Sequence, residues 1–192
     1  MKDFEIIPSI RDLRYLEEAL ALDCPVVQLS GAHIGNLRKL VEHCHKKGKK
    51  VLINHELVGG LGNDRTAFRM LQKLYQVDWL IGSSVSKFHM FQNLGMRTIF
   101  KIALVDSIAV ENAFRFLPDV RCDALELRPF QPAMEFLPEF REVFQGDIYI
   151  AGFVNTPEKL EASRQAGFRG AMTSSRSLWS MGSYGLHCPQ GS

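Results

Sequence analysis

Eight short apolar runs alternate with eight stretches whose apolar residues recur every three or four positions, and few folds accept that pattern. The runs are Phe4 to Ile7, Val26 to Leu29, Val51 to Ile53, Trp79 to Ile81, Thr98 to Leu104, Ala124 to Leu127, Ile148 to Ala151 and Ala171 to Thr173. Between them lie helical stripes such as Leu13/Leu16/Leu20, Ile34/Leu37/Val41/Cys44 and Ala67/Leu71/Leu74. Phe88/Phe91/Leu94 and Val110/Ala113/Phe114/Leu117 continue the series. Local chemistry marks helix boundaries: Asp64 suits an N-cap, Thr156-Pro157 a cap followed by a first-turn proline, and Gly48, Gly95 and Gly167 are stops. Pro138 predicts the first turn of a sixth helix bearing Phe140 and Phe144.

Strictly alternating strands and helices without a long linker imply a parallel α/β sheet, and eight is the number that closes a barrel. The expected fold is a compact, single-domain (β/α)8 TIM barrel over residues 1–180, followed by a Gly- and Ser-rich tail over 181–192 expected to be disordered. At 192 residues the chain is short for such a barrel, typically about 250 residues, so the connections must be tight. An open doubly wound sheet is the alternative. It usually carries a GxGxxG turn after the first strand, where this chain has Pro8-Ser9-Ile10-Arg11.

Composition narrows function mainly by exclusion. A net charge of +2 gives no overall polyelectrolyte character, so an RNA contact requires a local patch. Cys24, Cys44, Cys122 and Cys188 are scattered without CxxC spacing and read as reduced thiols. No run approaches membrane-spanning length and the start resembles no signal peptide, so a cytoplasmic protein without membrane contact is expected. His43-Cys44-His45 is a weak metal motif because neighbours on a helix diverge. Neither metal nor cofactor is expected.

Polar residues at strand C-terminal ends should surround the barrel mouth, where sites form. Those positions are Arg11, His33, Asn54, His55, Glu56, Ser83, Ser84, Lys101, Asp106, Glu126, Arg128, Gly152, Thr173, Ser174 and Ser175. Gly152 and the Thr173-Ser174-Ser175 cluster follow the last two strands and precede a short helical segment near Leu178, a pattern that suits a phosphate. Lys101, Glu126 and Arg128 suit either an anionic ligand or a buried ion pair. His55 and Glu56 are acid/base candidates, but neighbours on one strand cannot both face the mouth. Arg38, Lys39, Lys46, Lys47, Lys49 and Lys50 form the densest basic stretch, read either as helix-end charge or as a phosphate-backbone contact.

Seven segments then carry a family resemblance: IIPSIRD, HIGNLRKLVEHCHKKGKKVLI, HELVGGLGND, KIALVDS, DALELRP, AGF-x-NT and TSSRSLW, in order from Ile6 to Trp179. The chain resembles the glycerol-3-phosphate-responsive antiterminator family. The resemblance implies a small (β/α)8 barrel that binds glycerol 3-phosphate and nascent leader mRNA, preventing premature transcription termination of glycerol uptake genes in bacteria. Arg11, His33, Asp106, Glu126, Pro129, Gly152, Thr173 and Ser174 match the family pattern. Gly31 stands where the family usually has Asp, and Asn54 and Glu56 replace His and Asp. Ser84 replaces a basic residue, Lys101 an Arg, and Phe130 a Gly. The implied ligand residues are Gly152, Thr173, Ser174, Ser175, Arg11, Lys101, Glu126, Arg128 and Glu56, with catalysis not implied. A barrel isomerase or lyase on a small phosphorylated substrate is the alternative, pairing Glu56 with Asp106 or Glu126. A ligand-sensing barrel acting through a protein partner is a third reading, and homo-oligomerisation stays open.

Overall fold

The computed structural model describes residues 4–91 and 94–181. Among them, eight parallel strands close into one barrel in sequence order, β1 pairing with both β2 and β8. The strands are β1 Glu5–Ile10, β2 Val26–Leu29, β3 Lys50–Asn54, β4 Trp79–Gly82, β5 Arg97–Ala103, β6 Ala124–Arg128, β7 Asp147–Ala151 and β8 Gly170–Thr173. The helices are α1 Leu16–Leu20, α2 Leu37–Lys46, α3 Arg65–Lys73, α4 Val85–Phe91, α5 Ser107–Phe116, α6 Phe130–Val143, α7 Pro157–Ala166 and α8 Arg176–Trp179. The expected barrel is therefore what forms, and the doubly wound alternative falls because the edge strands pair. Met181 ends the described chain, and the rest of the expected tail, 182–192, lies outside it.

Caps do what the sequence chemistry requires. Asp64, Asp106 and Thr156 accept from the first-turn amides of Ala67, Ala109 and Lys159 at 2.8, 2.7 and 3.4 Å. Gly167 ends α7 at φ +96°, a conformation side chains resist. The sixth helix departs from expectation. It opens at Phe130, eight residues before Pro138, which sits inside it on the exposed side. Burial of Ala133, Leu137 and Phe140 at helical spacing holds α6, and its N-cap, Pro129, makes no side-chain cap bond that sequence could advertise. Pro138 withholds an N–H from the Met134 carbonyl without ending the helix. Ile34, expected on the second helix, precedes α2 and is 43% exposed.

Inside the barrel the period of two stacks side chains in layers. Ile7, Leu52, Ile81, Ile99, Tyr149 and Met172 belong to a dry interior cluster. Beneath it, the Tyr149 hydroxyl donates to Glu5 at 2.9 Å, Arg169 pairs with Glu5, and Arg97 pairs with Asp147 at 2.5 Å while lying over Trp79. Two residues further along the strands, the inward positions become Ser9, Gln28, Asn54, Lys101 and Glu126. That polar layer lies at the C-terminal mouth. Among the described residues no helix is long and apolar enough to cross a membrane.

Closure depends on β8 approaching β1 closely. Glu5 pairs with Gly170, and a Cβ at Gly170 would collide with the Glu5 carbonyl oxygen, which is backbone and cannot swing away. Gly170→Ala is expected to cost about 1–3 kcal/mol through forced overpacking. The corresponding fall in melting temperature, about 2–4 °C per kcal/mol for a chain of this size, is read by calorimetry. An unchanged transition would show that the seam has slack.

Candidate functional site at the barrel mouth

The strand ends surround a cleft of about 870 Å³. Arg11, Asn54, Lys101, Glu126, Arg128, Gly152, Thr173, Ser174 and Ser175 all line it, so nine of the predicted mouth residues converge. Sequence reasoning missed Ser9, Gln28, Ser30, Leu57, Val105, Phe153 and Asn155 on the same walls. Gln28 had a signal, a lone amide inside the apolar run VVQL. Ser9 and Ser30, whose hydroxyls lie 3.1 Å apart, had none.

The charged wall follows from strand register. Lys101 on β5 sits beside Glu126 on β6, and Ala103 beside Arg128, so the alternation aims all three charged side chains inward. Lys101 donates to Glu56, whose other oxygen accepts from the Ser83 amide and hydroxyl at 2.8 and 2.6 Å. Burial works against the Glu56 charge, but the bonds from Lys101 and Ser83 outweigh it and hold the carboxyl at about 2. Glu56 thus stands behind Lys101 and does not itself line the cleft. Glu126 is nearly fully buried, with Arg128 Nε 2.8 Å from Oε1 but without hydrogen-bond alignment. Burial raises its carboxyl above the ordinary range against the pull of Arg128 and Lys101. Of the two readings of this triad, the ion pair is what forms, as Glu126–Arg128 and Glu56–Lys101, while Lys101 and Arg128 also line the cleft. Arg11 is exposed and its guanidinium has no partner among the described residues.

The opposite wall is made of loops. Gly152, at φ +71°, and Phe153, at φ +62°, turn the chain sharply after β7. Phe153 is left 71% exposed at the rim. Thr173 is buried, donates its hydroxyl proton to the Val154 carbonyl at 2.6 Å and accepts from the Ser175 amide at 3.0 Å. With its proton committed, its hydroxyl shapes the loop instead of offering a donor to an anion. Trp179 Nε1, bonded to the Thr173 carbonyl at 2.9 Å, ties α8 beneath it. Ser174 and Ser175 remain as hydroxyl donors facing Gly152 across the cleft.

Several predicted mouth residues have other employment. Asp106 caps α5, Ser83 anchors Glu56, and the exposed His33 and half-buried Ser84 do not line the cleft. His55 is the clearest correction. A 3-10 turn over His55–Leu57 ends β3 at Asn54, so the strand does not continue through the pair. The turn buries His55 edge-on against Phe68 and Phe91, both 5.2 Å away, while Glu56 turns toward Lys101. Gly82 makes the room: a Cβ there would approach His55 Nε2 to 2.5 Å. Neither ring nitrogen of His55 has a hydrogen-bond partner among the described residues. His43 instead bonds Glu17 and His45 bonds Asp78 at 2.8 Å, and the described residues hold no cluster of metal-ligating type.

Comparison with known proteins adds identity to geometry. A profile described as glycerol-3-phosphate responsive antiterminator matches residues 6–179, almost the whole barrel. The chain belongs to that family. A glycerol uptake operon antiterminator regulatory protein from Listeria monocytogenes superposes with a TM-score of 0.85 at 25% identity, covering 91% of this chain and 94% of that one. A related protein from Thermotoga maritima gives 0.79 at 24% identity, covering 92% and 98%. The uncharacterised protein YgcP of Escherichia coli (strain K12) is 21% identical over 92% of each chain. A 2,3-dimethylmalate lyase at 12% identity and TM-score 0.69 shares the fold alone.

The His55 environment makes a pH prediction. Burial lowers its basicity below the ordinary value near 6.5. Below that pH the unfolded chain takes up a proton that the folded chain refuses, so stability falls as pH drops from about 6.5 toward the depressed value. The slope is at most about 1.4 kcal/mol per pH unit. His55→Phe should flatten urea-derived stability between pH 7 and pH 5 relative to the parent. Parallel profiles for the two proteins would show that His55 finds a proton acceptor when charged.

Proposed function

We propose that this barrel is a non-enzymatic, cytoplasmic sensor of glycerol 3-phosphate that controls transcription antitermination by binding leader mRNA. The family match carries the regulatory reading, and the polar cleft supports the ligand reading. The phosphate sits between the Gly152 turn and the Ser174-Ser175 loop, with Thr173 holding that loop and Arg11 reaching over it. The polyol end meets Glu126 and Arg128, backed by Lys101 and, through it, Glu56. Lys101 supplies a point charge where the family resemblance implies the bidentate fork of Arg, which loosens angular discrimination.

The enzyme reading finds little support in the acid/base candidates. Glu56 is held ionised behind Lys101, and Asp106 is engaged at the α5 N-terminus, away from the cleft walls. Glu126 alone is buried in the cleft with raised basicity, and a single carboxyl lacks the complementary partner that two-step proton transfer needs.

Glycerol 3-phosphate should raise the melting temperature, since a native-state ligand at 100-fold over its dissociation constant adds about 2.7 kcal/mol. Gly152→Asp should abolish that shift by placing a negative side chain where the anion sits, and the unliganded melting curve reports any separate cost of forcing φ +71° on a side chain. A full shift in a folded variant would move the site elsewhere. Phosphorus NMR of protein with glycerol 3-phosphate should show no turnover; a new resonance would favour the isomerase or lyase reading.

RNA is assigned to the basic end of α2. Lys46, Lys47, Lys49 and Lys50 run from the last residue of α2 to the first of β3, on the barrel face opposite the mouth. Arg38 is paired with Glu42 at 2.9 Å, Lys39 is exposed, and Lys49 also donates to the Leu22 carbonyl, so the six cations are not equally available. Changing Lys46, Lys47, Lys49 and Lys50 to Gln should weaken leader-RNA binding and flatten its log–log salt dependence by about 0.7 per lost contact. Glycerol 3-phosphate stabilisation should persist. Unchanged RNA affinity and slope would return the run to helix-end charge.

A further inference from the structure

The small net charge conceals a strong partition. Residues 34–91 carry ten Lys and Arg against four Asp and Glu, whereas the rest of the chain carries thirteen against seventeen. Part of that excess is α3. Its sequence RTAFRMLQK holds three cations and no acid, and the neighbouring Asp64 is engaged as its N-cap. Ala67, Phe68 and Leu71 face the core, which leaves Arg65, Arg69 and Lys73 at i, i+4 and i+8 along the outer side. All three are exposed, and none has a side-chain hydrogen bond or ion pair among the described residues. By contrast α6 sets Glu135, Glu139 and Glu142 against Arg141, and α7 sets Glu158 and Glu161 against Lys159 and Arg164. A surface helix ordinarily mixes signs, because like charges four residues apart repel. An all-cationic stripe implies a polyanion.

The two basic features join. Lys73 ends α3 and Lys46 ends α2, both at the face opposite the mouth. His45 of α2 bonds Asp78, five residues past Lys73, and Asp78 also accepts the Val51 amide at 2.8 Å, so the α2 end is tied to the segment that follows α3. From there the stripe climbs the barrel wall at about 6 Å per cation. Its upper end, Arg65, follows the loop that begins with Glu56 and Leu57, the latter a cleft wall residue.

We propose that Arg65, Arg69 and Lys73 form a track for a single-stranded nucleic-acid backbone, continuous with the basic end of α2 and rising toward the ligand mouth. This rests on the RNA-binding reading above and extends it to a helix outside the basic run. Evenly spaced, unpaired cations match a polymer with one phosphate per nucleotide, and they read backbone rather than sequence. A protein partner with an acidic face is the competing occupant. A second copy of this chain offers such a face at α6, but an α3-to-α6 contact is heterologous and would build open chains of copies.

The test compares the parent with Arg65→Gln/Arg69→Gln/Lys73→Gln in fluorescence anisotropy titrations, using leader RNA and labelled oligouridylate across a salt series. Sedimentation at low salt is run alongside. The variant should lose affinity for both RNAs similarly, with log–log slopes shallower by about 2, from about 0.7 for each of three contacts. Its melting temperature and glycerol 3-phosphate shift should match the parent, since the replaced side chains are exposed and Gln is a good helix former. Arg65→Lys/Arg69→Lys should retain the parent slope, separating charge from shape. If the parent binds RNA and the triple variant binds with unchanged slope, the track is overturned while the RNA reading stands. If the parent binds neither RNA at low salt, both fall. Salt-sensitive self-association of the parent that the variant loses, with RNA binding intact, assigns the stripe to copy–copy contact and also overturns the proposal.

Discussion

Ile7, Leu52, Ile81, Ile99, Tyr149 and the other inward apolar side chains fill the barrel from wall to wall, and the mouth chemistry stands on that dry plug. Without it, Lys101 and Glu126 would be ordinary strand-end residues in water. With it, they sit one layer above a medium that screens charge poorly, on strands that cannot shift register without turning every side chain to the other face. The plug is held below by a second polar layer, Glu5 with Arg169 and Tyr149, and Arg97 with Asp147. Two polar layers therefore bracket one apolar layer. The lower is closed by its own ion pairs, while the upper opens into a cleft.

The upper layer is also the electrostatically divided one. The two carboxyls of the upper wall are held in opposite senses. Bonds from Lys101 and Ser83 favour the charged form of Glu56, so its contribution to stability is present above the ordinary carboxylate range and is lost as pH falls toward about 2. Burial disfavours the charged form of Glu126, so its contribution runs the other way and diminishes as pH rises from the ordinary range toward its raised value. Lys101 lies between them. Under the proposed function, an anion entering the cleft would compete with Glu56 for that ammonium and with Glu126 for Arg128, making binding an exchange of partners more than a capture of free charge. Arg11 lines the same cleft without a partner among the described residues.

The sequence announced the barrel because each of its signals is local. Asp64, Asp106 and Thr156 sit where their caps form, Gly167 takes the left-handed turn, and period-two runs become strands. What it hid was set by tertiary packing. Pro138 looked like a helix start because the true start, at Pro129-Phe130, has no side-chain cap to display. His55 looked like a mouth residue because nothing local reveals the space that Gly82 leaves for its ring. Ser9 and Gln28 were concealed by the apolar company of their strands, although alternation from Ile7 and Val26 leads to both. The hydroxyl cluster was legible as a loop, but the division of labour within it was not: Thr173 is committed to Val154, while the Ser174 and Ser175 hydroxyls have no partner among the described residues.

The basic wall shows the same limit in charge. A run of adjacent lysines, Lys46 through Lys50, is visible to the eye, whereas cations four residues apart on α3 become a surface only when the helix is wound. Winding also sets their direction. The run lies across one end of the barrel, while the α3 stripe travels along its length, from Lys73 beside the α2 end to Arg65 beside the loop that leaves Glu56. The mouth cleft and the basic end are on opposite faces of the barrel. The loop from Glu56 to Asp64 is the shortest covalent path from the cleft-wall pair to the first cation of the stripe. Its first residues are fixed by Lys101 and Ser83, and its last by the Asp64 cap. Ser83 holds the Glu56 end, the Gly59 bridge to His33 holds the middle and the Asp64 cap holds the last turn, so the stripe of exposed cations starts at Arg65 from a fixed point.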